Sequence, residues 1–211
     1  MRLCQRYALL ALLALAALPR GARADEPVFV RLYYSTWMTG RVEQSPLDPA
    51  GAFTGSDGLV QNPRSELEAI FLRRLGLSYA RQKLERRLVD GAGRVGGCSA
   101  PPCDVEEHAL QQSLNLTLYG RAVRHDQFNL FAGAGAGYLD YDYAVNGTPQ
   151  TGGSLHRGLS LSRWFLGLEY TFERVGFRLE LSRVSAYQAL EGQEARAAAT
   201  CRYLTLVIPL N

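Results

Sequence analysis

Three histidines are the side chains in this chain best suited to acid–base or nucleophilic chemistry: His108, His125 and His156. His156 precedes Ser160 and Ser162, so a Ser–His pair is the arrangement to weigh first. Residues four apart on one strand lie about 13 Å apart, which is too far for a hydrogen bond within that strand. His125 falls in a predicted turn, where a solvated histidine is ordinary. We therefore predict no catalytic residue.

A glycine-rich stretch and a cysteine pair are the other patterns that could hold a ligand. The stretch Gly133–Gly137 lacks the G-x-G-x-x-G spacing of a phosphate loop and no helix follows, so we interpret it as glycine in a strand. Cys98 and Cys103 flank a Ser-Ala-Pro-Pro loop, and no further Cys or His pair lies nearby with zinc-ligand spacing. We predict a disulfide, with a zinc pair as the sharper alternative, and otherwise no metal and no cofactor.

The amino terminus has the organisation of a secretory signal. Arg2 and Arg6 form a basic start, an apolar core follows, and Ala22-Arg23-Ala24 is an A-x-A cleavage site. We expect residues 1–24 to be removed and residues 25–211 to form one domain. The whole chain has 23 basic and 20 acidic residues. The signal carries four of the arginines, so the mature chain has a net charge of −1 and no bias towards nucleic acid.

Period-two alternation dominates the mature chain and is clearest between residues 158 and 184. One face of this stretch is apolar and partly aromatic: Trp164, Leu166, Leu168, Tyr170 and Phe172, then Phe177, Leu179 and Leu181. The other face carries small and charged residues. A turn of about three residues separates the two halves. This pattern predicts a β-hairpin with one apolar face.

The same alternation, repeated along the chain, predicts eight strands. Residues 64–84 are ambiguous with a helix, because Leu, Glu, Arg and Lys favour helices, but they divide into two alternating halves around Arg73-Arg74. We prefer the hairpin. Connections then alternate between long and short, with long polar stretches at residues 41–62, 88–105, 146–153 and near 191–192. This asymmetry is typical of an all-β, eight-stranded, antiparallel up-and-down transmembrane β-barrel with both termini on the short-turn side.

The two faces must next be assigned to the inside and the outside. A soluble, lipocalin-like barrel would bury the leucine face and solvate the polar face. The polar face, however, is mostly Gly, Ala, Ser, Thr and Asn, and Lys83 is the only lysine of the chain. A solvated exterior normally carries many more charges, whereas small residues suit the narrow lumen of eight strands. We therefore place the polar face inside and keep the soluble barrel as an alternative.

Seven charged residues then point into the lumen: Arg31, Glu66, Glu68, Arg121, Glu169, Arg178 and Glu180. Charges removed from bulk water must be paired or hydrated. We predict an ion-pair network that plugs the lumen. The alternative is a charged path for ions.

The signal, the eight strands, the loop asymmetry and the Gly-aromatic strand from Gly133 to Tyr143 together resemble small Gram-negative outer-membrane β-barrels, in particular the outer membrane protein A-like and opacity-protein-like superfamily. The resemblance implies an outer-membrane location with periplasmic termini, contact with the barrel-insertion machinery, and a monomer. Such barrels usually end in an aromatic residue, whereas this chain ends Ile208-Pro209-Leu210-Asn211.

Some barrels of this size modify lipid A, which makes an enzyme the alternative to a structural role. The lipid A deacylase family carries His-x-Ser-Asn, but Arg-Gly-Leu follows His156 here. A narrow channel or carrier for small apolar solutes is a further alternative. The leading hypothesis is a barrel that anchors lipid or presents its loops.

Basic residues on the loop side of the strands suggest what such a barrel contacts. They are Arg81, Lys83, Arg86, Arg87, Arg94, Arg157 and Arg163. Arginine pairs with phosphate in a bidentate way, and lipopolysaccharide presents phosphates at the outer leaflet. We predict a basic belt that binds lipopolysaccharide. The alternative is a solvated rim balanced by Glu85, Glu106 and Glu107.

Overall fold

The regular elements of the described residues are β-strands. The computed structural model describes residues 28–44, 54–55, 63–91, 98–124, 127–150, 159–172, 174–190 and 193–210. Eight long strands run through them: β1 (Phe29–Gln44), β2 (Ser65–Phe71), β3 (Leu75–Asp90), β4 (Cys103–Tyr119), β5 (Gln127–Val145), β6 (Leu159–Thr171), β7 (Gly176–Leu190) and β8 (Gln193–Pro209). Two strands of two residues each, Thr54–Gly55 and Thr148–Pro149, add to β3 and β5. Within these ranges no helix is both long and apolar enough to cross a membrane.

The eight strands close into a ring. Each strand pairs antiparallel with its neighbours in the chain, and β1 also pairs antiparallel with β8. This arrangement confirms the predicted all-β, eight-stranded, antiparallel up-and-down barrel. The ambiguous stretch is a hairpin, as predicted. Its β2 and β3 are joined at residues 72–74, where Leu72 and Arg73 have positive φ angles of 51° and 55°.

Several strands are longer than predicted. β1 extends into the first predicted loop as far as Gln44, and β4 already begins at Cys103, which pairs with Asp90 of β3. The physical reason lies in the environment at the loop side. Towards the loops the polarity of the two faces reverses, because outward positions such as Asp104 and Glu106 are polar whereas the inward Cys103 and Val105 are buried and apolar. Pairing therefore continues beyond the outward-leucine pattern from which the strand ends were predicted.

The exterior of the barrel is apolar, and the lumen on the side of the short turns is polar. The outward leucines of β4 and the outward residues of β6 are 36 to 62% exposed: Leu114, Leu116, Leu118, Trp164, Leu166 and Leu168. Their sequence neighbours Asn115, Thr117, Arg163 and Glu169 are buried. Solvated monomers rarely expose apolar surface of this extent. The face assignment made from the sequence therefore agrees with the structure.

Glycines on the inner face of β5 leave room for bulky side chains on the neighbouring strand and allow adjacent strands to approach closely. Gly133 pairs with Phe165 and Phe131 pairs with Gly167, so each phenyl ring covers the glycine opposite it. A Cβ at Gly137 would lie 2.7 Å from the Cα of Ser113 on β4, closer than carbon atoms normally approach. The glycine repeat therefore serves strand packing and not phosphate binding.

We expect Gly137→Val to destabilise the barrel by about 1–3 kcal/mol, because the added side chain overpacks the β4–β5 contact. Folding is measured as the fraction of protein whose gel mobility differs between unheated and boiled samples. Ala136→Val, on the exposed outer face of the same strand, is the matched control and should fold as the wild type does. Equal folding of both variants would contradict the close approach at Gly137.

Candidate functional site

A buried cluster of charges occupies the lumen on the side of the short turns. Inward-facing positions of β1, β2, β6 and β7, with the residue before β2, bring together four arginines and four glutamates, each at most 4% exposed: Arg31, Arg64, Arg163, Arg178, Glu66, Glu68, Glu169 and Glu180. The formal charges of this lumen cluster balance. Balance is what burial requires, since an uncompensated charge in a low-dielectric interior is costly.

Glu180 is the centre of the first half of the lumen cluster. One of its oxygens accepts from Arg64 Nη1 at 2.8 Å and also from Arg163, while Arg178 Nη2 lies 3.1 Å from the other. Arg64 also pairs with Glu66. A single carboxylate thus contacts three guanidinium groups contributed by three different parts of the chain.

Glu169 and Glu68 form the second half of the lumen cluster. Glu169 pairs with Arg31, and Arg178 Nη1 lies 4.0 Å away. Glu68 is held differently, because the hydroxyls of Tyr33 and Tyr119 both donate to it. Those two hydroxyl oxygens are 3.0 Å apart. Phenol donors therefore stabilise a buried carboxylate beside the ion pairs.

Aromatic rings fill the space around the guanidinium groups. The guanidinium carbon of Arg178 lies 3.6 Å from the ring centre of Phe131 and 5.0 Å from that of Tyr33. Arg163 lies 4.5 Å from the ring centre of Phe165. Cation–π contacts of this kind strengthen when water is excluded. Ile70 and Val123, both buried, pack next to the same rings.

Six of the seven residues predicted for the lumen meet in this cluster: Arg31, Glu66, Glu68, Glu169, Arg178 and Glu180. Arg121 does not, because β4 ends at Tyr119 and the chain has left the ring before it could turn inward. Arg121 is exposed, and its backbone N–H donates to the side chain of Asn129 at 3.1 Å. The prediction for Arg121 was wrong.

Arg163 and Arg86 were predicted for the outer rim, and the structure places both in the lumen instead. Arg163 is 2% exposed, and Arg86 is 8% exposed with its Nη1 3.5 Å from Glu107. The sequence held the signal for Arg163. Arg163 is an even number of residues from Glu169 on the same strand, and Arg64 is two residues from Glu66. Side chains at such spacings lie on the same face of a strand, so alternation alone predicts that both arginines face the lumen.

Cations do lie on the outer surface at the loop side of the apolar exterior. Of the predicted belt, Arg81, Lys83 and Arg87 on β3 are exposed, whereas Arg94 and Arg157 fall outside the described residues. The sequence analysis did not include three further exposed arginines, which lie on β1, β7 and β8: Arg41, Arg183 and Arg202. Some carry partners. Arg87 lies 3.0 Å from Glu106 and Arg183 lies 2.7 Å from Glu43.

The remaining sequence predictions concern the cysteines and histidines. The structure contains the Cys98–Cys103 disulfide, and Cys201 is a buried free thiol. His108 lies on the outer face of β4, between Glu85 and Asp142 on the neighbouring strands. His125 and His156 fall outside the described residues, so the Ser–His pair does too. Among the residues that are described, no three metal-ligating side chains group together.

We expect Glu180→Gln to lower the free energy of unfolding by about 3–5 kcal/mol, because three buried guanidinium groups lose their shared counter-charge. Urea unfolding of the barrel refolded in lipid vesicles measures this. The control is Glu106→Gln, which removes the ion pair with the 80% exposed Arg87 side chain and should cost at most about 1 kcal/mol. Similar losses for both variants would refute a special role for the lumen cluster.

Solved structures with this architecture are known, although no protein-family model and no curated protein sequence matches the chain. Neisserial surface protein A (NspA) superposes with a TM-score of 0.52 at 9% identity, covering 86% of this chain and 96% of that one. Ail, the attachment invasion locus protein of Yersinia pestis, gives 0.48 at 10% identity, covering 87% and 97%. The outer membrane protein AlkL gives 0.48 at 10% identity, covering 91% and 94%. The superposition on NspA, together with the closed ring of eight antiparallel strands, shows that the chain has the fold of the small eight-stranded outer-membrane β-barrels.

Proposed function

We propose that this protein is a closed outer-membrane β-barrel that contacts lipopolysaccharide through cations on its outer surface and presents its loops to the exterior of the cell. The observation that carries the proposal is the inside-out distribution of side chains. Leucines and aromatic residues cover the exterior, and charged groups fill the lumen on the side of the short turns. This arrangement buries apolar surface only if lipid surrounds the barrel.

The dimensions of the apolar exterior support a membrane location. The outward apolar residues of β6 and of the residue that follows it run from Trp164 to Phe172, which is about 26 Å along an extended chain. With the tilt of about 40° usual in such barrels, the height is about 20 Å, which suits the thin outer membrane. Aromatic rings gather at the turn side, where the ring centres of Phe128 and Tyr170 are 4.5 Å apart. Such girdles mark the membrane–water boundary.

The positions of the strand ends support the proposed orientation. Arg31, near the start of β1, pairs with Pro209 at the end of β8. Both therefore lie at the end of the barrel that has the short turns, such as residues 72–74. In outer-membrane barrels the short turns face the periplasm, which supports a periplasmic position for both strand ends. A closed ring leaves no free strand edge for pairing with another barrel, in keeping with a monomer.

Lipopolysaccharide contact is supported by the position of the exterior cations. In the strand register, Arg183 of β7 lies opposite Trp164 of β6, and Arg202 of β8 lies opposite Leu181 of β7. Both cations therefore directly adjoin the apolar exterior. Phosphate groups of an outer-leaflet lipid would lie at this height, and the guanidinium fork binds phosphate in a bidentate way.

Charge reversal at the loop-side rim should reduce bound lipopolysaccharide. In Arg81→Glu/Lys83→Glu, two exposed cations become anions that repel lipid phosphate, and we expect at least a twofold loss of lipopolysaccharide co-purifying from outer-membrane fractions. The matched control reverses two exposed cations on the turn side, Arg74→Glu/Arg174→Glu, and should leave the lipid content unchanged. Unchanged lipid in the first variant, or equal loss in both, would contradict the proposal.

The filled lumen should not conduct ions. In planar bilayers, we expect the purified barrel to show no reproducible conductance steps, because paired charges and aromatic rings occupy the ring on its turn side. A porin inserted in the same bilayers serves as the positive control. Regular steps that Glu180→Gln alters in size would show that the lumen cluster lines an ion path.

A further inference from the structure

Three exterior arginines come together where β8 lies between β1 and β7. In the strand register, Thr200 of β8 lies opposite Arg41 of β1 on one side and opposite Arg183 of β7 on the other. Arg202 is two residues from Thr200 on the same face. It is therefore the diagonal neighbour of the other two arginines, at about 7–8 Å, which is within reach of long side chains. All three are exposed, and we call Arg41, Arg183 and Arg202 the seam arginines.

One carboxylate, that of Glu43, belongs to the same group of side chains. The β1–β8 register shifts between Val42 and Gln44, and the exposed Glu43 at this shift reaches over β8. Its two oxygens accept from Arg183 Nη2 and from the hydroxyl of Thr200, each at 2.7 Å. Three arginines and one glutamate give the group a formal charge of +2.

The cations on the other side of the barrel stand among carboxylates. Those of β3 share their strand with Glu85, and Arg87 lies 3.0 Å from Glu106 on β4. Outward positions of β5 add Asp140 and Asp142, which are both exposed. An approaching anion is therefore repelled by the β4–β5 surface and attracted to the seam arginines.

The seam arginines border the part of the exterior that faces lipid. Trp164, which lies opposite Arg183, is 48% exposed on the outer face of β6. Leu204 follows Arg202 by two residues and lies on the same face of β8. An exterior tryptophan between apolar and polar surface is typical of the level of lipid headgroups. An anion at the seam arginines is therefore in the position of a headgroup phosphate.

The double positive charge favours one kind of phosphate. A phosphate monoester carries a charge of about −1.5 to −2 near pH 7 and has three terminal oxygens. It can therefore neutralise the group and accept from guanidinium forks on three strands. The phosphodiester of a phospholipid carries a single negative charge, so one positive charge would remain.

A shallow groove on the loop side of Arg183 has room for the molecule that carries this phosphate. Its volume of about 500 Å³ lies within the range of about 300–1,000 Å³ usual for small-molecule sites. The polar side chains that line it are Ser160, Ser162, Arg183, Ser185, Tyr187 and Arg196, with no carboxylate among the described residues. The Ser162 hydroxyl donates to the backbone oxygen of Ser185 at 3.3 Å and can still accept a hydrogen bond. Hydroxyl groups beside an exposed aromatic ring suit a sugar.

We propose that the seam arginines and this groove form a site for one phosphorylated sugar headgroup of an outer-leaflet lipid. The phosphate monoester binds Arg41, Arg183 and Arg202, and the sugar lies in the groove. The inference rests on the proposed contact with lipopolysaccharide and adds to it a single saturable site that distinguishes a phosphate monoester from a diester.

Native mass spectrometry of the folded barrel in detergent tests the proposal, because it counts the lipids bound and gives their dissociation constants. Phosphatidic acid and phosphatidylglycerol with the same acyl chains differ in the ester, and lipid A adds the sugar. We expect one saturable site, with phosphatidic acid binding at least fivefold more tightly than phosphatidylglycerol and lipid A at least fivefold more tightly again. Inorganic phosphate at the concentration of the lipid should displace neither. Displacement would mean that a free anion is the ligand and would overturn the lipid assignment.

Two double variants test the seam arginines. Arg41→Gln/Arg202→Gln should weaken the binding of lipid A and phosphatidic acid at least tenfold and remove the preference over phosphatidylglycerol. Arg74→Gln/Arg174→Gln removes the same charge from exposed positions on the turn side and should bind as the wild type does. Unheated and boiled gel mobilities verify that each variant is folded.

Two single variants test the charge and the groove separately. Glu43→Gln raises the formal charge of the group to +3 and should tighten the binding of phosphatidic acid at least twofold. Ser185→Leu fills the groove and should lower the affinity for lipid A to that for phosphatidic acid, whose own affinity should not change.

The outcomes separate this site from the broader proposal. Equal wild-type affinity for phosphatidic acid and phosphatidylglycerol, or no loss in Arg41→Gln/Arg202→Gln, would overturn the site and leave lipopolysaccharide contact through Arg81 and Lys83 intact. Unchanged lipid A affinity in Ser185→Leu would overturn the assignment of the sugar to the groove. A wild-type barrel that binds no lipid A would refute both proposals.

Discussion

Eight paired strands enclose a lumen too narrow for bulk water, and this narrowness constrains every inward side chain. Charges there cannot rely on hydration, so Glu180 contacts three guanidinium groups and Glu68 takes two phenol donors. Backbone spacing is equally tight, which is why glycine alone fits at Gly137. The exterior has the opposite requirement, because side chains that face lipid need only be apolar. Residue types alternate along each strand because its two faces lie in these two different environments.

Much of this fold could be predicted from the sequence because alternation is a local signal. Each hairpin of the closed ring has its own apolar and polar face, and residues such as Leu168 and Glu169 reveal their sides without knowledge of any partner. Strand ends could not be placed in this way, since β1 and β4 continue where the outward side chains become polar and the outward-leucine pattern ends. Arg121 is an example. Its spacing from the inward residues of β4 would direct it into the lumen, but β4 ends two residues before it.

The partners within the lumen cluster lie beyond what alternation can reveal. Arg31 and Glu169 pair across 138 positions of sequence, and Arg64 and Glu180 across 116. Such pairs depend on the register of all strands between them, which the ring closure of β1 on β8 sets. Arg163 was misplaced for a related reason. Its position near a loop suggested the rim, whereas parity with Glu169 correctly indicated the lumen. Parity is the stronger guide inside a paired strand, because a one-residue slip would move every side chain to the wrong face.

Charge balance inside the barrel also bears on its exterior. Four arginines and four glutamates cancel within the lumen cluster and Arg86 cancels Glu107 above it, which leaves the buried Asp90 and a formal charge of −1 among the described interior residues. The field outside the barrel is therefore set mainly by exterior side chains such as Arg81, Arg183 and Arg202. These residues are distant in sequence, and β3, β7 and β8 bring them to one outer surface. Such an arrangement needs no sequence motif, because antiparallel strands return repeatedly to the same end of the barrel.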